Sequence, residues 1–193
     1  NFGSAAQAGY GVGSRVLQAI FLPGMAVAFA AAPIAGQNLG AGLPERARRT
    51  FIEAVKIGSA IMFTLTLVCR WRPDWLVHWF SADPVVVATA AEFLSVISFN
   101  FIASGVVFTC SGMFQAMGNT VPTVISSAVR LVLFVVPALW IAQRPAFSLA
   151  QLWYVSVIAS SAHALFAVWL LRREAAKRLS FGSARPGALA IEA

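Results

Sequence analysis

A few polar side chains interrupt segments that are otherwise almost wholly apolar, and these residues are the best placed to do chemistry. Asn100, Arg130 and His163 each lie inside such a segment. A charge at the centre of a bilayer costs about 3 kcal/mol on insertion scales and seldom faces lipid. The three residues therefore indicate either a hydrated pathway or substrate cavity, or hydrogen bonds between helices that fix the packing.

Small polar residues accompany them at helical spacing. The three shared faces are Asn100, Ser104 and Ser111; Thr123, Ser127 and Arg130; and Ser156, Ser160 and His163. Arg130 lies about 15 Å from the inner end of its segment, and the other two reach roughly the same depth. For the serines and Thr123, packing is the favoured interpretation. Arg130 is expected to have a structural or gating role, and Glu92 lies too far along its own segment to pair with it.

Catalytic and metal-binding patterns are missing from the sequence. It contains no Ser/His/Asp set, no His-Glu-x-x-His, no Cys-x-x-Cys and no glycine-rich phosphate loop. Cys69 and Cys110 are interpreted as small apolar packing residues. The net charge of +7 comes from basic residues beside apolar segments, so a nucleic-acid partner is not predicted. We therefore expect no enzyme and no cofactor.

The elements that position these residues are predicted to cross a membrane. The chain has 193 residues, of which 59% are hydrophobic and 11% charged, and its mean hydropathy is +0.78. This composition indicates an all-α integral membrane protein with a lipid bilayer around it. We predict a bundle of five transmembrane helices and a disordered cytoplasmic tail over 176–193. The predicted spans are 12–36, 54–70, 84–110, 121–142 and 149–171.

Local signals mark two of the boundaries and one packing face. Asp83 and Pro84 predict a helix start, as N-cap and first helical residue. The tryptophan-rich stretch 70–80 predicts a membrane interface with a short turn. Small residues recur along the first span, which lets a neighbouring helix approach closely. These are Gly24, Ala28, Ala31 and Ala35.

Basic residues are distributed unevenly between the two predicted sides. With the segment 43–56 inside, that side holds nine Lys and Arg residues and the other side three. The positive-inside rule then places the C-terminus in the cytoplasm and the N-terminus outside. We expect a multi-pass protein of the plasma (inner) membrane. Because the sequence begins with Asn1 and has an odd number of spans, we also expect it to be a fragment.

A series of motifs is similar to those of the multidrug and toxin extrusion (MATE) family. Gly-Gln-x-x-Gly-Ala-Gly at 36–42, followed by Arg-Ala at 46–47, resembles the signature that closes a transmembrane helix there. Phe-x-x-Asp-Pro at 80–84 and Gly-x-x-x-Ala-x-Gly-Asn-Thr at 112–120 resemble two later motifs. Their order and spacing match the second half of such a transporter over residues 1–175.

This resemblance implies a twelve-helix antiporter of two six-helix lobes, which exports organic cations or drugs in exchange for H⁺ or Na⁺ by alternating access. The chain would be the C-terminal lobe without its first helix, and its partner would be the missing N-terminal lobe. The pathway residues implied on this chain are Gln37, Asn38, Asn100, Ser104, Arg130 and His163.

The coupling ion and two alternative functions stay open. NorM-like members would carry a membrane-embedded carboxylate in the third span, and residues 100–104 contain none. The coupling acid would then lie either in the absent N-terminal lobe, as in the DinF-like branch, or in the missing first helix, and the chain is expected to be more DinF-like than NorM-like. One alternative is a lipid-linked or polysaccharide flippase of the same superfamily, which would need more basic residues than Arg130. The other is a non-transporting membrane scaffold subunit whose polar faces pack against neighbours.

Overall fold

The computed structural model describes residues 3–144 and 147–181, and within them the chain is all α-helix with no strand, as predicted. The helices are α1 (Gly3–Gly40), α2 (Pro44–Trp71), α3 (Pro73–His78), α4 (Pro84–Ile97), α5 (Asn100–Ala116), α6 (Val121–Ala142) and α7 (Leu149–Phe181). In this part of the chain α1, α2, α6 and α7 are long and apolar enough to cross a membrane. The pair α4 and α5 makes a fifth span if the two are counted together.

The predicted third span, 84–110, is not one continuous helix. Helices α4 and α5 meet at a bend of 57°. At the bend the Ser98 carbonyl accepts a hydrogen bond from the Thr66 hydroxyl of α2 at 3.1 Å. The Phe101 N–H also donates to the Ser98 carbonyl, at 3.1 Å. A carbonyl freed from the regular ladder is thus satisfied inside the protein, which is the condition for a broken helix at membrane depth.

Several helices extend beyond the predicted spans. Helix α1 covers more than 12–36 at both ends, and α2 begins ten residues before 54, so the basic stretch after Pro44 is helical. Helix α6 has the predicted bounds, 121–142. Helix α7 continues past 171, because polar and basic residues continue a helix readily once it leaves the membrane. Residues 176–181 of the expected disordered tail are therefore helical, and 182–193 lie outside the described residues.

The predicted start of α4 is confirmed. Asp83 is the N-cap and Pro84 follows at the first helical position. The Asp83 carboxylate accepts hydrogen bonds from the backbone N–H groups of Val85 at 2.9 Å and Val86 at 3.5 Å. The tryptophan-rich interface stretch forms the short helix α3.

Helices α1, α2, α4, α5 and α7 share two buried apolar clusters, and α6 contributes to neither of them. On one side of the bundle, α1 lies so close to α5 that a Cβ atom at Gly112 would be 2.9 Å from the Ala28 carbonyl oxygen. The predicted close-approach face is thus shared, with α5 against Ala28 and Met62 of α2 against Gly24. Helix α6 packs chiefly on α7 and leaves most of its apolar side chains exposed, as a lipid-facing helix does. A gap remains between α6 and the body of the bundle.

Candidate functional site

The gap is a cavity of about 940 Å³ bounded by α1, α4, α5, α6 and α7. Its polar lining consists of Gln7, Thr89, Asn100, Ser104, Arg130 and Ser156. Its aromatic lining consists of Tyr10, Phe21, Phe93, Phe134, Phe147 and Trp153. A mostly apolar cavity with a few convergent polar groups is the usual form of a small-molecule site.

Asn100 is placed in the cavity by the bend, because it is the first residue of α5 after the break. Its side chain is only 4% exposed. The Asn100 amide nitrogen donates to the Ser156 hydroxyl of α7 at 3.3 Å, while its Oδ1 atom has no hydrogen-bond partner in the structure. Ser104 follows one helical turn later on the same side. Asn100 therefore brings a polar side chain to the cavity wall, although its Oδ1 atom is itself enclosed by protein atoms.

Arg130 supplies the charge of the described lining from the middle of α6. Its side chain is exposed to the gap, and it lies within electrostatic range of His163. Glu92, the carboxylate of the bent span, is exposed and does not line the cavity. The expected separation of Glu92 from Arg130 agrees with this placement.

His163 lies on the face of α7 that also carries Ser156 and Ser160, but it does not line the cavity. His163 is 5% exposed and Ser160 4% exposed. Neither the His163 Nε2 atom nor the Ser160 hydroxyl has a hydrogen-bond partner in the described part of the chain. The polar face of α7 therefore continues from the cavity wall into the packed region between helices.

Gln37 and Asn38 lie apart from the other predicted pathway residues. They are near the end of α1, about 24 Å along the helix from Phe21, the nearest cavity residue of α1. Gln37 is exposed, and the Asn38 amide donates to the Ile34 carbonyl of its own helix at 2.8 Å. The structure thus brings together Asn100, Ser104 and Arg130 and leaves Gln37 and Asn38 at a distance. Their part in a pathway stays a prediction.

The aromatic lining was missed by the sequence analysis. Tyr10 and Phe93 meet edge to face with ring centroids 5.2 Å apart, and Phe93 and Trp153 do so at 5.6 Å. In the sequence of an apolar span, an aromatic residue that faces a cavity cannot be distinguished from one that faces lipid. The available signal was that Leu149 and Trp153 share one helical face with the polar residue Ser156.

Metal binding has no support within the described residues, where no group of three or more His, Cys, Asp or Glu side chains is close enough to hold an ion. Cys69 and Cys110 are free and fully buried, as expected of apolar packing residues.

Comparison with known proteins gives relatives that are longer than this chain. An FAD transporter of Shewanella oneidensis is 26% identical over 133 residues, which are 69% of this chain and 29% of that protein. A probable multidrug resistance protein of Bacillus subtilis, YpnP, is 24% identical over 153 residues, which are 79% of this chain and 33% of that protein. The chain thus spans about a third of the length of these curated relatives.

A solved structure has the same fold. The crystal structure of MATE in the bent conformation matches with a TM-score of 0.85 and 18% identity, over 94% of this chain and 40% of that one. The family resemblance is confirmed, whereas the DinF-like subtype stays a prediction. Because the match to the MatE family extends over residues 1–141, most of the sequence, the chain belongs to the MatE family of membrane transporters, which are not enzymes.

Proposed function

We propose that this chain forms one lobe of a secondary active exporter of small organic molecules, which works by alternating access against a second, N-terminal lobe. Export would be driven by exchange for H⁺ or Na⁺. The observation that carries the proposal is the cavity of about 940 Å³, in which Asn100, Ser104 and Arg130 converge from two helices. Its volume is at the upper end of the range of sites that hold drug-sized ligands, about 300–1,000 Å³.

The relatives support a small organic substrate. One is named as an FAD transporter and the other as a probable multidrug resistance protein. Both names describe the movement of, or resistance to, organic compounds, and neither restricts the substrate to a cation. The organic cations implied by the family resemblance therefore stay one proposed class, and the charge of the cavity is considered below.

The coupling ion is proposed to bind outside the cavity described here. No carboxylate belongs to the described lining, and carboxylates are the usual proton or sodium carriers at membrane depth. An acid of the second lobe, or of the missing first helix of this lobe, is the proposed carrier. The excess of basic residues on one side supports an inner-membrane location with a cytoplasmic C-terminus.

The cavity favours a transporter over the alternatives. A scaffold subunit would be expected to bury its polar faces against neighbouring helices, whereas Asn100, Ser104 and Arg130 line a cavity. A flippase for phosphorylated lipid carriers would need several cations, and Arg130 is the one charge of the described lining.

A cysteine at position 104 tests the pathway directly. In the full-length protein in inverted membrane vesicles, Ser104→Cys should be modified by a water-soluble maleimide, and a transported fluorescent dye such as riboflavin should slow the modification. Modification should also reduce dye transport. Cys69 and Cys110 provide a low background because both are fully buried.

Ser160→Cys is the matched control. Ser160 is also a serine on a polar helix face, the α7 face that carries Ser156, but it is 4% exposed and does not line the cavity. It should react much more slowly than Ser104→Cys. Equal reaction rates at the two positions, or full transport after complete modification of Ser104→Cys, would contradict a substrate pathway through this cavity.

A further inference from the structure

The charge of the cavity is unbalanced. Arg130 is the one charged side chain of the described lining. The ion pairs found among the described residues, Arg48 with Glu45 and Lys56 with Glu53, both lie in α2 and do not involve it. Arg130 is exposed to the gap, and no carboxylate of the described lining neutralises its charge. It is therefore a position where an anion is stabilised.

The geometry of a guanidinium restricts which anions fit best. Its planar array of N–H donors matches a carboxylate or phosphate, with two parallel hydrogen bonds. A ligand cation at the same position would meet a like charge in a medium of low dielectric constant, where the repulsion is stronger than in water. The cavity of this lobe is thus better suited to an anion than to a simple organic cation.

The rest of the cavity lining indicates which kind of ligand body would fit. Six aromatic side chains surround the cavity, and the T-shaped contacts of Phe93 with Tyr10 and Trp153 hold three of the rings in place. Aromatic rings bind flat ring systems by edge-to-face and offset stacking. Asn100, Ser104 and Ser156 add neutral polar groups to the lining, which suit ligand N–H or O–H groups.

We propose that this cavity binds an aromatic anion, with the ring system among the aromatic side chains and a phosphate or carboxylate on Arg130. The proposal rests on the proposed function and names its substrate class. An anionic lipid headgroup is the competing source of the same chemistry. Arg130 lies midway along α6, about 14 Å from one end of the helix and about 18 Å from the other, so a soluble aromatic anion is the favoured occupant.

The test compares ligands that share one ring system and differ in charge. The full-length protein is reconstituted in vesicles of phosphatidylcholine alone, and the binding of flavin mononucleotide and riboflavin is measured by quenching of their fluorescence. We expect flavin mononucleotide to bind roughly tenfold more tightly than riboflavin, because only the former carries a phosphate for a charge-assisted hydrogen bond. Arg130→Gln should remove this preference and leave riboflavin binding within about twofold, and Arg130→Lys should retain part of it, since one charge without the planar donor array remains.

Arg144→Gln is the matched control, because Arg144 is exposed, stacks on Trp140 and does not line the cavity. It should keep the full preference. The proposal is overturned if the wild type binds the two flavins equally, if Arg130→Gln weakens both alike, or if ethidium binds in preference to flavin mononucleotide. Displacement of flavin mononucleotide by phosphatidylglycerol added to the vesicles would identify a lipid headgroup as the occupant and also overturn it.

Binding is measured without an ion gradient, so its outcome is separate from that of export. A wild-type protein that shows the phosphate preference but moves neither flavin under a proton or sodium gradient would support the anion site and contradict the proposed export. Transport of ethidium with no phosphate preference in binding would support export and contradict the anion site.

Discussion

The contact of α1 with α5 makes a quantitative prediction about Gly112. A Cβ atom at this position would lie 2.9 Å from the Ala28 carbonyl oxygen, 3.5 Å from the Ala32 Cβ atom and 3.6 Å from the Ala28 carbonyl carbon. The nearest atom belongs to the backbone of a helix, so it cannot turn aside as the end of a side chain can. Gly112→Ala must therefore separate α1 from α5 by a few tenths of an ångström.

The expected cost follows from two opposing effects. Overpacking of a well-packed interior costs about 1–3 kcal/mol, whereas alanine in place of glycine within a helix gains about 1 kcal/mol. Gly58→Ala has the same helical gain without the clash, since its nearest neighbours are Thr109 Oγ1 at 3.9 Å and Val27 Cγ1 at 4.0 Å. The difference between the two variants isolates the clash, and Gly112→Ala should be less stable than Gly58→Ala by about 1–3 kcal/mol.

The two variants are compared in the full-length protein, purified in one detergent, by the apparent melting temperature of the monodisperse fraction. The melting temperature of Gly112→Ala should be equal to or lower than that of the wild type, and that of Gly58→Ala should be equal to or higher. A double variant Gly112→Ala/Ala28→Gly should not recover stability, because the close atom is the Ala28 carbonyl oxygen and not its side chain. Equal melting temperatures for Gly112→Ala and Gly58→Ala would refute the argument that backbone contact determines the spacing of α1 and α5.

Three further predictions concern the helix ends. Asp83→Ala should cost about 1 kcal/mol through loss of the α4 N-cap, and Asp83→Asn much less, as shown by melting temperature and faster amide exchange at Val85 and Val86. Gly118→Ala should cost about 1–2 kcal/mol, because φ is +68° there and no steric contact contributes. Gly40→Ala, which also has open space around it, should cost nothing in the same melting assay. Asn119→Asp should destabilise the protein by about 1–3 kcal/mol, because the Asn119 amide donates to the Glu174 carboxylate at 2.8 Å and an aspartate would repel it. Adding Glu174→Gln should restore most of that loss, and a melting temperature unchanged by Asn119→Asp would contradict the contact.

Features that depend on local sequence were predictable. The bounds of α6 follow from an apolar run with a turn at each end, and the start of α4 follows from the Asp83 and Pro84 pair. The polar cavity residues Asn100, Ser104 and Arg130 were predictable for a related reason. Polar groups within apolar spans are costly in lipid and therefore mark the interior of a bundle.

Features that depend on a partner far along the chain were not predictable. The stretch from Ile97 to Asn100 contains neither proline nor glycine, yet the helix breaks there. The freed Ser98 carbonyl accepts from the Phe101 N–H and lies 3.1 Å from the Thr66 hydroxyl of α2, which also donates to the Met62 carbonyl at 2.8 Å. The same break places Asn100 at the cavity wall. Distance along a presumed straight helix therefore could not give the direction of the Asn100 side chain.

The two sides of the cavity differ in how firmly they are held, and this difference connects the packing to the site. Helices α1, α4, α5 and α7 share buried clusters that include Phe93, Phe101 and Trp153, and close backbone contact fixes α1 against α5. Helix α6, which carries Arg130, belongs to neither cluster. A helix with few buried contacts is displaced at lower cost than one inside a packed core. The charge of the cavity is therefore carried by its least constrained wall, whereas Asn100 and four of the six aromatic rings are carried by the rigid one. A ligand that contacts both Arg130 and the aromatic wall would bring α6 closer to the bundle. It would do so because it makes more contacts when α6 is close than when α6 is displaced, as any ligand-driven change of conformation requires.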